Sequence, residues 1–156
     1  MIEESMDFPK RKDPTTRDLR KCYDEIPYPN IAKPFTHISR MAAIGALRGL
    51  TPVSPASCQV LELGCADGGN LLPMALQFKQ SHFVGIDLSP VQIETGLKDS
   101  AYLSLKNFEL RTADILELGP GDLDSYDYII VHGVYSWVSS QVRERILSIC
   151  KEHLNC

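Results

Sequence analysis

An apolar, strand-like run that ends in a glycine-rich turn is the best candidate for binding chemistry in this chain. The run covers residues 60–63, and the turn covers residues 64–70 with glycine at 64, 68 and 69. Because glycine has no Cβ, the backbone of such a turn can approach a ligand closely. The pattern alone is a weak signal, since an ordinary strand–helix connection can contain the same glycines.

A second apolar run, residues 83–86, ends in Asp87, about 20 residues after the turn, as in nucleotide-binding α/β units. A carboxylate at this place can accept hydrogen bonds from both hydroxyls of a ribose. The alternative is that Asp87 only caps the following helix. Ser89 and Pro90 already supply a cap and a first helical residue, which favours the ribose interpretation.

The composition is that of one globular domain. The chain has 156 residues, of which 44% are hydrophobic and 23% charged, enough to form a buried core. The sequence contains no apolar run that could span a bilayer and no hydrophobic signal segment at its N-terminus, so we expect no membrane association. Its five cysteines contain no C-x-x-C pair, which indicates neither zinc nor a disulfide framework and favours a reducing cytoplasm.

Charge gives little support for a nucleic-acid partner, because the net charge is -4. A basic run, Lys10 to Lys12, is typical of a solvated, mobile terminus. We therefore predict a flexible N-terminal segment over residues 1–22 and a folded domain over residues 23–156.

Strand and helix patterns alternate from residue 58 onward. The predicted strands are Cys58–Leu63, His82–Asp87, Phe108–Thr112 and Tyr126–His132. Helices are predicted around Met41–Leu47, ended by Gly49, then over Leu71–Phe78, from the Ser89 cap, and after a cap at Ser139 or Ser140. The fourth strand is apolar along its length, as expected of a parallel strand buried on both faces. The predicted fold class is α/β: a Rossmann-like, open, mostly parallel sheet with helices on both faces.

Ligands of such sheets bind at the carboxyl ends of the strands. The residues at those ends are Gly64 to Asn70, Asp87, Leu88, Asp114, Ile115 and His132 to Tyr135. Asp114 could accept a hydrogen bond from the exocyclic amine of a purine, or it could be only a surface turn acid.

These segments together resemble class I S-adenosylmethionine-dependent methyltransferases. Residues 60–68, Val-Leu-Glu-Leu-Gly-Cys-Ala-Asp-Gly, look like the first motif of that family, with Ala66 in place of the middle of three alternating glycines. The resemblance covers Cys58 to about Leu154 and implies S-adenosylmethionine as the cofactor. It implies that Glu62 orients the turn and helps to hold the methionine ammonium, that Asp87 binds the ribose, and that Asp114 binds the adenine amine. The full set of implied cofactor-binding residues is Glu62, Gly64, Cys65, Ala66, Gly68, Asn70, Asp87, Leu88, Asp114, Ile115 and His132.

A narrower resemblance rests on residues 23–29, 65–75 and 128–138. These are similar to segments of bacterial methyltransferases that carry a C-terminal methyltransferase regulatory domain, a group that includes rickettsial protein-lysine methyltransferases acting on outer-membrane proteins. The resemblance implies a methyl-acceptor substrate, with protein lysine as a candidate, and a segment over residues 23–37 that folds over the cofactor.

A lysine nucleophile must arrive deprotonated, and His132 and Tyr135 are the candidates to position or deprotonate it. The alternatives are a histidine that only ends a strand and a tyrosine in the core. Trp137 is expected in the core or in a pocket wall.

The sheet of the resembling family has seven strands, whereas this sequence ends at Cys156, after the helix that follows the fourth predicted strand. We therefore expect a C-terminally truncated fold with no fifth strand. The fourth strand would then be an exposed edge, and self-association through it is predicted. We also expect weak or absent catalysis by the isolated chain.

Two other functions remain open. Gly64, Ala66 and Gly69 also fit the G-x-G/A-x-x-G template of a nicotinamide-dinucleotide oxidoreductase, and Asp87 suits either cofactor. Glu62 and Asp114 have a role only in the methyltransferase interpretation. The third candidate is a non-catalytic module that keeps the ligand and has lost the reaction.

Overall fold

The computed structural model describes residues 31–119 and 121–155. In this part of the chain, four strands form a parallel sheet: β1 (Gln59–Leu63), β2 (His82–Asp87), β3 (Phe108–Thr112) and β4 (Tyr128–Ile130). Their order in the sheet is β3–β2–β1–β4. The segment predicted to be flexible, residues 1–22, and the aromatic residues 23–29 lie outside the described residues.

Within the described ranges, four helices accompany the sheet: α1 (Ile38–Leu47), α2 (Leu71–Gln77), α3 (Pro90–Tyr102) and α4 (Ser140–His153). A single turn of 3-10 helix, Pro34–Thr36, precedes α1. Among the described residues, none of these helices has the length and apolarity needed to cross a membrane.

Side chains alternate between the two faces of the sheet, and each face carries its own core. Val60 and Phe83 lie in a buried cluster with residues of α1, α2 and α3, including Ile38 and Leu71. Leu61 and Val84 belong to a second cluster with Ile146 and Ile149 of α4. The predicted Rossmann-like α/β fold with helices on both faces is therefore confirmed.

Serine caps are present at the starts of α3 and α4, as the sequence predicts. The Ser89 hydroxyl accepts a hydrogen bond from the Gln92 N–H at 3.3 Å and caps α3. Ser139, not Ser140, caps α4 in the same way, through the Val142 N–H at 3.4 Å. Each cap satisfies a backbone donor that the first turn of a helix leaves without a partner.

The fourth strand differs from its prediction in length and in pairing. Only Tyr128–Ile130 pair with β1; beyond them the chain turns toward the site, with Gly133 in a left-handed conformation at φ +75°. On the outer edge, the Tyr126 N–H donates to the His153 carbonyl at 2.7 Å, and the Asn155 N–H donates to the Tyr126 carbonyl at 2.8 Å. The expectation that nothing pairs with this edge is therefore wrong at Tyr126, which forms a parallel bridge with Leu154.

The parallel register brings the ends of the strands together at one edge of the sheet. Leu63 pairs with Ile86, and Asp87 pairs with Thr112. The glycine turn, Asp87 and the residues that follow β3 and β4 therefore lie at the same edge, where ligands of open α/β sheets bind.

Helix α3 packs directly on the glycine turn through Gly96. A Cβ at this position would overlap the carbonyl oxygen of Asp67 and lie 2.5 Å from Leu110 Cδ1. Neither the backbone of the turn nor the core can give way easily, so a side chain here would push the helix off the turn.

We expect Gly96→Ala to lower the free energy of unfolding by about 1–3 kcal/mol through overpacking. Urea denaturation of the wild type and the variant measures this difference. Gly121→Ala is the matched control, because a Cβ there meets no atom of the described residues within 4 Å. Equal stability of the two variants would show that α3 does not rest on the turn as described.

Candidate cofactor site

A cleft of about 400 Å³ opens at the carboxyl ends of the strands. Nine of the residues predicted to bind the cofactor line it: Glu62, Gly64, Ala66, Asn70, Asp87, Leu88, Asp114, Ile115 and His132. The volume lies within the range of about 300–1,000 Å³ that is typical of small-molecule sites.

The glycine turn is held rigidly by its own hydrogen bonds. The N–H groups of Gly64 and Cys65 both donate to the Ile86 carbonyl, at 2.8 and 3.1 Å. The N–H of Gly68 donates to the Cys65 carbonyl, and that of Gly69 to Asp67 Oδ1. These N–H groups are therefore already paired within the chain, and the turn contributes a fixed shape to the cleft more than a row of free donors.

Close approach explains the glycine at position 64. Its φ is +74°, and a Cβ there would overlap Val134 Cγ2. The contact joins the end of β1 to the loop that follows β4, so a side chain at this position would separate two walls of the cleft.

Ala66 adopts a conformation that glycine would adopt more easily. Its φ is +51°, and the left-handed region costs a residue with a Cβ about 1–2 kcal/mol. The Ala66 N–H donates to Asp87 Oδ2 at 2.8 Å. This charge-assisted bond offsets the strain and fixes the middle of the turn to the end of β2.

Asp87 links three parts of the site. Besides holding Ala66 through Oδ2, it accepts a hydrogen bond from the Ser89 N–H at Oδ1, at 2.9 Å. It also lines the cleft. Each carboxylate oxygen can accept more than one hydrogen bond, so the same group can position the turn and contact a ligand.

Glu62 is an acid buried at the edge of the cleft. Its side chain is only 4% exposed. Oε1 accepts a hydrogen bond from Asn70 Nδ2 at 2.8 Å, whereas Oε2 is buried with no hydrogen-bond partner in the described part of the chain. Burial, reinforced by the charge of Asp87, raises the pKa of Glu62 to about 8, against smaller opposing effects of Asn70 and Lys33. An unpartnered carboxylate oxygen in such a place suits a cationic ligand group.

Asn70 uses its amide to tie the N-terminal segment to Glu62. Its Oδ1 accepts from the Lys33 N–H at 2.8 Å, and its Nδ2 lies 3.1 Å from Thr36 Oγ1. It was predicted as a cofactor-binding residue, and it does line the cleft. Its hydrogen bonds, however, make it an internal tether.

The structure does not bring Cys65 and Gly68 to the cleft. Cys65 is 1% exposed, and its Sγ would lie 2.7 Å from a Cβ at Gly85, inside the core. Burial raises the pKa of its thiol well above the usual value. Gly68 is buried against the ring of Phe108. Both residues therefore lie on the core side of the turn.

Asp114 makes the hydrogen bond of a turn acid and also lies at the cleft. Its Oδ1 accepts from the Leu116 N–H at 2.9 Å, as a turn acid does. It also lines the cleft, as do Ile115 and Leu88. An acid flanked by apolar side chains is the environment that an aromatic base with an amino group requires.

The two residues predicted to assist catalysis have different environments. His132 lines the cleft, and its ring meets Phe35 edge-on, with 4.9 Å between the centroids. Tyr135 is not part of the cleft lining; it is 42% exposed, with the Arg143 guanidinium 6.0 Å from its ring. Trp137 is a wall of the cleft and not a core residue, being 78% exposed.

Lys33 and Gln92 also line the cleft, although the sequence did not indicate them. Gln92 carries a signal that could have found it, since the cap at Ser89 fixes where it lies on the first turn of α3. Lys33 has no such signal, because it lies just before a short proline turn without periodicity. The predicted segment over residues 23–37 is described only from residue 31 onward.

Comparison with known proteins gives a consistent set of relatives. A family described as "Methyltransferase domain" matches residues 61–156. Two proteins of Rickettsia prowazekii, RP028 and RP789, are 40% and 39% identical over 133 residues, which are 85% of this chain. The solved structure of PKMT2 from Rickettsia typhi in complex with AdoHcy is 40% identical and superposes with a TM-score of 0.79 over 83% of this chain.

The chain spans only part of those relatives. It covers 53% of RP028 and 24% of RP789, and 25% of the Rickettsia typhi PKMT2 chain.

The buried carboxyl group of Glu62 should make stability depend on pH. The folded protein keeps this group protonated up to a pKa of about 8, whereas its ordinary value is 4.5. Between these values the folded state binds more protons than the unfolded state, so the free energy of unfolding falls as pH rises through that window.

We expect Glu62→Gln to remove this contribution. The stability difference between the variant and the wild type should therefore move in favour of the variant as pH rises from 4.5 to about 8, and then level off. Urea denaturation at several pH values measures this difference. The other titrating groups contribute equally to the stability of both proteins, so their contributions cancel in the difference. A difference that does not change with pH would mean that Glu62 ionises normally in the folded chain.

Proposed function

Because the chain belongs to the methyltransferase-domain family, whose cofactor is S-adenosylmethionine, we propose that the described cleft binds this cofactor and directs its methyl group to an acceptor. The observation that supports this most strongly is the buried Oε2 of Glu62 at the cleft, which has no hydrogen-bond partner among the described residues. The methionine end of the cofactor carries an ammonium group, which would give that oxygen a partner.

The other residues of the cleft fit the remaining parts of the cofactor. Asp87 would accept hydrogen bonds from the ribose hydroxyls, and Asp114 from the adenine amine. Leu88 and Ile115 would cover the faces of the base. Gly64 and Ala66 present little side-chain bulk where the backbone must lie close to the ligand.

S-adenosylmethionine, when bound, supplies a methyl group on a positively charged sulfur that is already a strong electrophile. The protein has therefore to align the acceptor, exclude water and manage a proton. We assign the proton or positioning role to His132, which lines the cleft, and not to Tyr135, which does not.

For the acceptor, we propose a lysine side chain of a protein. The support is the similarity to the Rickettsia typhi protein PKMT2 together with the sequence resemblance to protein-lysine methyltransferases. A lysine must lose its proton before it can attack, which is a task for His132 at the cleft. A cytoplasmic location remains part of the proposal, supported by five cysteines with no C-x-x-C pair.

A nicotinamide-dinucleotide cofactor fits the cleft less well. It would use Asp87 and the turn, but it has no ammonium group for Glu62. A non-catalytic module would bind the same cofactor without transferring the methyl group. Calorimetry with both cofactors distinguishes the proposal from the first alternative. An assay of methyl transfer distinguishes it from the second.

We expect S-adenosylhomocysteine to bind the purified chain and NAD to bind far more weakly. Isothermal titration calorimetry with both ligands tests the proposed cofactor. Binding of NAD with equal or higher affinity would favour the oxidoreductase instead.

Asp87→Ala should weaken S-adenosylhomocysteine binding by about 1–3 kcal/mol, because it leaves hydrogen-bonding groups without a partner. Since Asp87 also holds the Ala66 and Ser89 N–H groups, Asp87→Asn is the informative control: it keeps one acceptor oxygen and removes the charge. Unchanged affinity in the alanine variant would remove Asp87 from the site.

Self-association through the outer edge of β4 and the neighbouring loop stays a proposal. Its support is the exposed aromatic surface of that loop, with Trp137 78% and Tyr135 42% exposed. Sedimentation at several concentrations should show association that Trp137→Ala reduces. Tyr102→Ala is the control, because Tyr102 is even more exposed, at 89%, but belongs to α3. A monomer at every concentration would exclude the proposal.

A further inference from the structure

We propose that the ε-amino group of Lys33 is itself a methyl acceptor, so that the chain methylates its own segment before α1 in cis. The inference rests on the proposed function, in which the cleft binds S-adenosylmethionine and the acceptor is a lysine side chain. It adds a modification site within the chain, and the reaction at that site needs no second protein.

Lys33 differs from the other described lysines in its position. It lines the cleft and is partly buried. The remaining lysines of residues 31–119 and 121–155 are exposed and do not line the cleft: Lys79, Lys98, Lys106 and Lys151. A methyl donor in the cleft therefore shares its enclosed space with one lysine of the described ranges.

The backbone of Lys33 is held at the cleft from both sides of the residue. Its N–H donates to Asn70 Oδ1 at 2.8 Å, and its carbonyl accepts from the Thr36 hydroxyl at 3.0 Å. Asn70 is 4% exposed, so water competes little for the first of these bonds. Folding therefore fixes the point from which the side chain of Lys33 starts, and the entropy of bringing this amine to the cleft is already lost.

The amine of Lys33 is not held by an ion pair. Within the described parts of the chain, no salt bridge involves it. The acid that its charge influences is Glu62, whose pKa it lowers by a minor amount. Burial nevertheless raises the pKa of Glu62 to about 8, so this acid is mostly protonated at neutral pH and holds the amine weakly. The side chain of Lys33 can therefore turn toward a ligand in the cleft.

The transfer is a displacement that needs no further reactant. Lys33 first loses a proton to solvent, which reaches the residue because it is only partly buried. Its nitrogen lone pair then forms a bond to the methyl carbon of S-adenosylmethionine while the bond from that carbon to sulfur breaks. The electron pair of the broken bond stays on sulfur, and the positive charge passes to nitrogen. The products are a methylated Lys33 and S-adenosylhomocysteine.

Attachment to the site favours Lys33 over other acceptors. A separate protein must be recruited and aligned before it reacts, whereas an amine in the same chain reacts in a unimolecular step. Weak catalysis toward other acceptors, which is expected of the isolated chain, is therefore compatible with methylation of Lys33.

Mass spectrometry of the purified chain incubated with S-adenosylmethionine tests the proposal. We expect the intact mass to rise by one or more methyl groups, and fragmentation of proteolytic peptides to locate them on Lys33. At saturating S-adenosylmethionine, the fraction methylated after a given time should not depend on the concentration of the chain, because donor and acceptor belong to one molecule.

Two matched variants accompany this measurement. Lys33→Arg keeps the positive charge but offers a guanidinium that stays protonated, so the gain in mass should be lost. Lys79→Arg makes the same change at an exposed lysine outside the cleft, so the gain in mass should remain.

A second readout needs no methyl transfer. Acetic anhydride acetylates accessible amines, and bound S-adenosylhomocysteine should shield Lys33 from it if the amine lies beside the ligand. Acetylation of Lys79, measured in the same sample, should not change, because Lys79 does not line the cleft.

Calorimetry with S-adenosylhomocysteine distinguishes failure of the inference from failure of the proposed function. If the chain binds this ligand but Lys33 is neither methylated nor shielded, the inference is wrong and the cofactor cleft stands. Methylation that becomes faster as the concentration of the chain rises would show transfer between chains and would overturn the assignment in cis. If the chain does not bind the ligand, the proposed function fails and the inference with it. The wild-type peptides carry the assignment, so it does not depend on the folding of Lys33→Arg.

Discussion

The buried carboxyl group of Glu62 is the feature on which the arrangement of the site depends. Placing an acid at 4% exposure with one oxygen unpartnered opposes folding. The chain reduces the unfavourable effect through the Asn70 hydrogen bond and through protonation, as the pKa of about 8 shows. A group that is poorly satisfied without a ligand can gain most when a cation binds, which is how a binding site differs from an ordinary core.

The register of the sheet brings further residues to the same edge as Glu62. Parallel pairing sets the ends of β1 and β2 side by side, so that Asp87 reaches back to the turn and holds Ala66. Gly96 lets α3 rest on the same turn, and Gly64 lets the loop after β4 close on it. Contacts from β2, from α3 and from the loop after β4 therefore fix one short stretch of backbone at the end of β1. A stretch that is fixed in this way has little conformational entropy left to lose on binding.

The sequence predicts the parts of this structure that depend on local patterns. Strands β2 and β3 begin and end where the apolar runs predict, and the serine caps lie where expected. Asp87 and Asp114 line the cleft at the carboxyl ends of the strands, as the general rule for ligand sites in open α/β sheets predicts, and their roles in binding stay predictions.

Local sequence patterns do not predict contacts between segments that are distant in the sequence. The hydrogen bonds from Asn70 to Lys33 and Thr36 span 37 and 34 residues, and no periodicity in the sequence predicts them. The pairing of Tyr126 with Leu154 is likewise set by where α4 ends, not by the strand itself. Cys65 was predicted to bind the cofactor because of its place in the motif, and the motif gives no sign that its side chain packs in the core.

An experimental structure of the chain with S-adenosylhomocysteine would test the proposed site most directly. We expect the ligand's ammonium within hydrogen-bonding distance of Glu62 Oε2, with the ribose hydroxyls on Asp87 and the adenine beside Asp114. A ligand whose amino-acid end lies away from Glu62, or which binds outside the cleft, would contradict it.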